Sequence, residues 1–111
     1  MNLKILSSLS EKIKGVQGLD RLEDDDIYLF LDINEDDGFH MRGVPFAISI
    51  AFLDRDFGIL DIKDMESEVG KAVAPEKTVY AVETSIGYFD KMGLEVGGCW
   101  EKLHRDLNYN A

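Results

Sequence analysis

The clearest alternation of positions in the chain falls over residues 46–53. Phe46, Ile48, Ile50 and Phe52 lie on one side at period two, and Ala47, Ser49, Ala51 and Leu53 lie on the other, which predicts a strand. Three of the second set are small, so a helix or another backbone can approach closely there. Residues 27–31, Ile-Tyr-Leu-Phe-Leu, are apolar on both faces and predict a central strand. Shorter strands are expected over residues 3–6, 39–42, 59–63 and 78–83. Residues 54–58, Asp-Arg-Asp-Phe-Gly, form the hairpin connection into the third of these, residues 59–63. A closing strand interrupted by Gly97 and Gly98 is expected over residues 94–100, and residues 65–74 show no clear period.

Helix signals are fewer. Ser8 and Glu11 stand at capping-box spacing and predict a short helix ending near Gly15 or Gly18. Thr84 or Ser85 is expected to cap a second helix running to about Met92, with Gly93 as its stop. Trp100, Leu103 and Leu107 have helical spacing, so residues 101–111 are expected to form a helical tail. Strands joined by tight turns with few crossover helices predict an α+β fold. The expected sheet is mostly antiparallel and partly closed like a barrel, with two or three short helices. With neither linker nor repeat, residues 1–111 read as one domain.

Charge narrows the partners. The chain has 12 Lys and Arg against 22 Asp and Glu, a formal net charge of −10, and a field of that sign repels phosphate backbones and anionic membranes. Neither nucleic acid nor membrane is an expected partner; a small molecule or a protein is. Much of the acid sits in residues 23–26 and 35–37, which read as solvated loops. No apolar run approaches the roughly 20 residues of a spanning helix, and no signal-peptide pattern opens the sequence. The single cysteine, Cys99, allows no internal disulfide. A cytoplasmic location is the expectation.

Motifs with dedicated chemistry are weak. Asp32, Asn34 and Asp36 open like a calcium loop, but Asp37 occupies the turn-glycine position and Gly43 the position of the bidentate glutamate. Two scattered histidines, His40 and His104, and one cysteine make no zinc set, and neither metal nor cofactor is expected. Cys99 lies in an acidic chain without an evident base and reads as a buried structural residue. No nucleophile elbow surrounds Ser85, and no phosphate-binding glycine loop is present.

The block over residues 39–54, Phe-His-Met-Arg-Gly-Val-Pro-Phe-Ala-Ile-Ser-Ile-Ala-Phe-Leu-Asp, resembles the signature of the domain-of-unknown-function family 192. That signature runs approximately Phe-Trp-Met-Lys-Asn-Thr, two apolar residues, Pro-Leu-Asp, then Ile-x-Phe-Leu-Asp. Gly18-Leu19 with Tyr28-Leu29-Phe30 resembles the family's N-terminal block. Tyr80-Ala81-Val82-Glu83, Gly87-Tyr88-Phe89 and Gly93-Leu94-Glu95-Val96-Gly97 resemble its C-terminal block. The resemblance covers about residues 3–100 and implies a small α+β fold with a barrel-like sheet, but no activity. His40 stands for the family's Trp and Arg42 for its Lys. Gly43 and Val44 replace Asn-Thr, and Ala47, Ile48 and Ser49 replace Pro-Leu-Asp, losing a carboxylate. Many relatives are exported, and this chain shows no leader for that.

Arg42 and Glu83 are charges set among apolar neighbours on family-matching strands. A charge so placed is paired or faces a wet cleft. With His40 and Ser49 they form the candidate ligand-binding set; no residue is assigned as catalytic. The expected function is a non-enzymatic ligand- or protein-binding accessory domain. The alternatives are a small enzyme that acts on an anionic molecule through Arg42 and a carboxylate such as Glu83 or Asp54, and a structural assembly subunit.

Overall fold

The computed structural model describes residues 1–110. Strand β1 (Asn2–Leu6) leads into helix α1 (Leu9–Lys14), followed by β2 (Asp26–Phe30), β3 (Gly38–His40), β4 (Ile48–Leu53), β5 (Ile59–Met65), β6 (Lys71–Val73), β7 (Tyr80–Thr84), α2 (Tyr88–Lys91) and α3 (Glu101–Asn110). Five strands form one sheet in the order β1-β2-β7-β4-β5, and β3 pairs with β6 as a separate ribbon. β1 and β2 run parallel; β2–β7, β7–β4, β4–β5 and β3–β6 are antiparallel. The fold is therefore α+β with a mostly antiparallel sheet.

The expected barrel closure does not occur: β1 and β5 stand at opposite edges of an open sheet. The reason is visible in β4, where all six residues are buried. Both faces of the sheet are covered by other layers, so closure is not needed to shelter either one. On one face Tyr28, Phe30, Ile48, Ile50, Phe52 and Ala81 pack with Met41, Val44 and Ala72 from the β3–β6 region. On the other, Ile27, Leu29, Ala51, Leu53 and Val82 pack with Tyr88, Phe89, Trp100 and Leu103 from the helical segments. Phe89 meets Trp100 edge-on at 5.7 Å, a favoured aromatic geometry.

α1 forms as its capping box specifies. The Ser8 hydroxyl accepts from the Glu11 amide at 3.2 Å, and Glu11 Oε1 accepts from the Ser8 amide at 3.0 Å. Gly15 ends the helix at φ +49, a left-handed value that favours glycine. None of its six residues is buried.

Three further expectations need correction. The α2 N-cap is Gly87, without a side-chain cap, because Thr84 remains in β7, paired with Ile27 and Ser49. Residues 94–100 form turns and a single bridge, Gly58 to Cys99, in place of a strand; Gly97, at φ +91, turns the chain toward α3. Cys99 is exposed, since the buried position next to it is taken by Trp100.

The turn into β5 is locked by one side chain. Asp54 Oδ1 accepts from the Asp56 amide at 2.9 Å and the Gly58 amide at 2.8 Å, leaving no room for a Cβ at Gly58. Asp54, named above as an alternative carboxylate, thus serves a tight turn.

Candidate functional site

Glu83 lies on β7, the middle strand of the five. Its register partners are Tyr28 on β2 and Ile50 on β4. Directly opposed residues share a face of a sheet, so its carboxyl projects with Tyr28 and Ile50 toward α1 and the β3–β6 ribbon. The residue is 5% exposed, and among the described residues its side chain has no hydrogen bond or ion pair. Burial alone pushes its pKa up to about 8, because desolvation disfavours the charged form. At neutral pH this group is a carboxylic acid with a proton to donate. Burial also raises the Tyr28 phenol, with a further contribution from Asp26.

Glu83 reaches a cleft of about 310 Å³ between α1 and β3. Phe30, Ile33, Phe39 and Met41 line it together with Leu9 and Ile13 from α1. Phe30 and Phe39 meet edge-on at 5.4 Å. The polar lining comprises Lys12, Lys14, Gln17, Asp37 and His40. Two polar ties hold the α1 wall: Lys12 Nζ donates to the Leu31 carbonyl at 3.2 Å, and Gln17 Nε2 donates to the Arg42 carbonyl at 3.2 Å. The volume sits at the lower end of the roughly 300–1,000 Å³ usual for small-molecule sites, and a mostly apolar wall with a few convergent polar groups is their usual character.

Of the four candidate residues, Glu83 and His40 line this cleft. Arg42 does not: it is exposed, carries no ion pair among the described residues, and contributes its backbone, whose amide donates to His40 Nδ1 at 3.2 Å. Ser49 lies on the opposite face of the sheet, its hydroxyl donating to Asp64 Oδ1 at 2.7 Å. Period two separates it from Ile48 and Ile50. The two histidines are likewise apart, since His104 stacks on Phe57 at 4.7 Å on the face covered by α3. Asp37 Oδ2 accepts from the Asn34 amide at 2.8 Å, closing the turn that opened like a calcium loop. Among the described residues no group of three or more His, Cys, Asp and Glu is placed to hold a metal ion.

The residues missed in the sequence are those of α1. Leu9 and Ile13, four apart on one helical face, are 72% and 67% exposed overall yet line the cleft. An apolar pair on a helix too short to reach the core was the available signal.

The sequence blocks noted above lie in this order on an open α+β sheet. The family model DUF192, "Uncharacterized ACR, COG1430", matches residues 1–101, and the chain belongs to that family. No curated protein matches it. A solved protein of unknown function from Novosphingobium aromaticivorans DSM 12444 is similar in fold, with a TM-score of 0.75 at 20% identity over 86% of this chain and 70% of that one. A "putative transcription regulator" from Sinorhizobium meliloti 1021 also has a TM-score of 0.75, at 16% identity over 86% of this chain and 76% of that one. Both likenesses are of fold. Among the described residues no helix is long and apolar enough to cross a membrane.

Proposed function

We propose that this chain is a non-enzymatic small-molecule-binding domain whose ligand occupies the cleft between α1 and β3. One observation carries the reading: the carboxyl of a residue 5% exposed, without a protein partner among the described residues, opens into a cleft lined by Phe30, Ile33, Phe39 and Met41 with Lys12, Lys14 and His40. Among the described residues no buried side-chain nitrogen or oxygen is left without a partner, so the Glu83 oxygens, which no protein group pairs, are open to the cleft and can bond a molecule held there. The cleft lining contains no hydroxyl or thiol nucleophile, which favours binding over covalent chemistry. The regulator-like neighbour suggests nucleic acid, but a net charge of −10 opposes contact with a phosphate backbone.

Fragment binding followed by amide chemical shifts tests this. A panel of small apolar molecules bearing one polar group is expected to perturb the amides of Gly15, Gly38 and His40 and to raise the melting temperature. Shifts confined to the α2–α3 face, or none from any fragment at millimolar concentration, would refute it.

A further inference from the structure

Resting on that reading of the cleft, we propose that its ligand is an organic ammonium: a primary amine or guanidinium carried on an apolar or aromatic body. The floor supplies an acid that no cation of the chain neutralises among the described residues. Lys12 and Lys14 line the same cleft but form no ion pair with Glu83, and the Lys12 ammonium donates to the Leu31 carbonyl. A buried carboxylate needs a counter-charge close by, and here the ligand brings it. The walls fit the rest of such a molecule, because Phe30, Phe39, Met41 and Ile33 cover an apolar stem, and aromatic rings also attract an ammonium. The net charge of −10 draws cations toward the domain and repels anions. Arg42 lies outside the cleft lining, and the local cations that an anionic ligand would meet are Lys12 and Lys14, which is why a carboxylate probe belongs in the test.

A proton follows from this. The empty site holds Glu83 protonated up to about pH 8, and an ammonium requires it ionised, so binding below that pH releases one proton to solvent. The titratable groups that face Glu83 are Tyr28 on β2, Lys12 and Lys14 on α1, and Asp37 and His40 at β3; β4 offers Ile50.

The test is titration calorimetry on the full chain with hexylamine, 1-hexanol and hexanoate at pH 6.5 and pH 9, each with amide shifts recorded. Hexylamine is expected to bind at least ten-fold tighter than the other two at pH 9. Its affinity should rise roughly thirty-fold from pH 6.5 to pH 9 as Glu83 ionises. Glu83→Gln, isosteric and uncharged, should lose the amine and the pH slope, whereas His40→Asn should keep the slope. Amine binding no tighter than hexanol, a flat or falling pH dependence, or retention in Glu83→Gln would each overturn the ammonium. If hexanol or hexanoate shifts the cleft amides while the amine does not, the cleft reading stands and the ammonium falls. If none of the three shifts them, both fall.

Discussion

Tyr28 and Glu83 face one another across the β2–β7 ladder, both more than nine-tenths buried, and no hydrogen bond joins the phenol to the carboxyl among the described residues. Two groups that release protons are set side by side in a part of the sheet where neither anion is welcome. Burial dominates the upward shift of each, and the carboxyl, with the lower ordinary value, is the one whose shift reaches the neutral range.

Stability should therefore depend on Glu83 in a definite direction. Its folded pKa of about 8 lies above the ordinary value of 4.5, so the unfolded chain loses this proton first. Below about pH 4.5 both states hold it and the group exerts no penalty. From there to about pH 8 the penalty accumulates, and above pH 8 it is complete, up to about 5 kcal/mol. Glu83→Gln removes the penalty. Urea unfolding at pH 5 and pH 9 should show the variant nearly matched to the parent at the lower pH and more stable by a few kcal/mol at the higher. Parallel pH profiles for the two proteins would mean that Glu83 is neither buried nor shifted.

The strand pattern made much of this legible. Ile48, Ile50 and Phe52 share a core as period two requires, and the Ser8–Glu11 box forms both its bonds. Closure was not legible, because alternation over β4 describes a face, not what lies on it; a barrel interior and a helix-covered open sheet need the same apolar residues. The site was half legible for the same reason. Glu83 is conspicuous as an acid in an apolar strand, and His40 is near it in space. Ser49 sits on the other face by parity, while the α1 wall depends on where a crossover lands, which no local pattern encodes.

The capping box should control α1 and little else. Ser8 and Ser7 backbone hydrogen bonds hold the Glu11 carboxyl below its ordinary pKa, so its contribution is present above the ordinary carboxylate range and is lost as pH falls through the lowered value. Ser8→Ala removes the cap, worth about 1 kcal/mol in helices generally. Because α1 buries no residue, hydrogen exchange of the Lys12 and Gly15 amides should speed up several-fold while the global unfolding midpoint barely moves. A global loss as large as the local one would show that α1 is integral to the core.

A contrast between two left-handed residues separates strain from function. Lys77 has φ +70 in the Pro75–Thr78 turn, and Glu68 has φ +64. Left-handed backbone costs an ordinary residue roughly 1 kcal/mol. Lys77 is exposed, so Lys77→Gly should stabilise by up to about 1 kcal/mol after glycine's entropy is counted. Glu68 differs in that its Oε1 accepts from the Gly43 amide at 2.9 Å. Glu68→Gly should therefore gain nothing or lose stability. Thermal melts of the two variants side by side decide it, and equal gains would remove the role given to the Glu68 carboxylate.

Gly70 offers the sharpest check on how the cleft is held. A Cβ there would lie 2.6 Å from the Glu66 amide nitrogen and 2.8 Å from the Glu66 carbonyl oxygen, both backbone atoms that cannot swing aside. The same turn presents the Gly70 carbonyl to the Met41 amide at 3.0 Å, next to β3. Gly70→Ala should thus cost about 1–3 kcal/mol through overpacking, and the displaced turn should shift Met41, which lines the cleft. The expected signature is a lowered melting temperature with amide shift changes at Met41 and His40 and few at Trp100, across the sheet. An alanine variant as stable as the parent, or one perturbed mainly around Trp100, would show that this turn does not position the cleft wall.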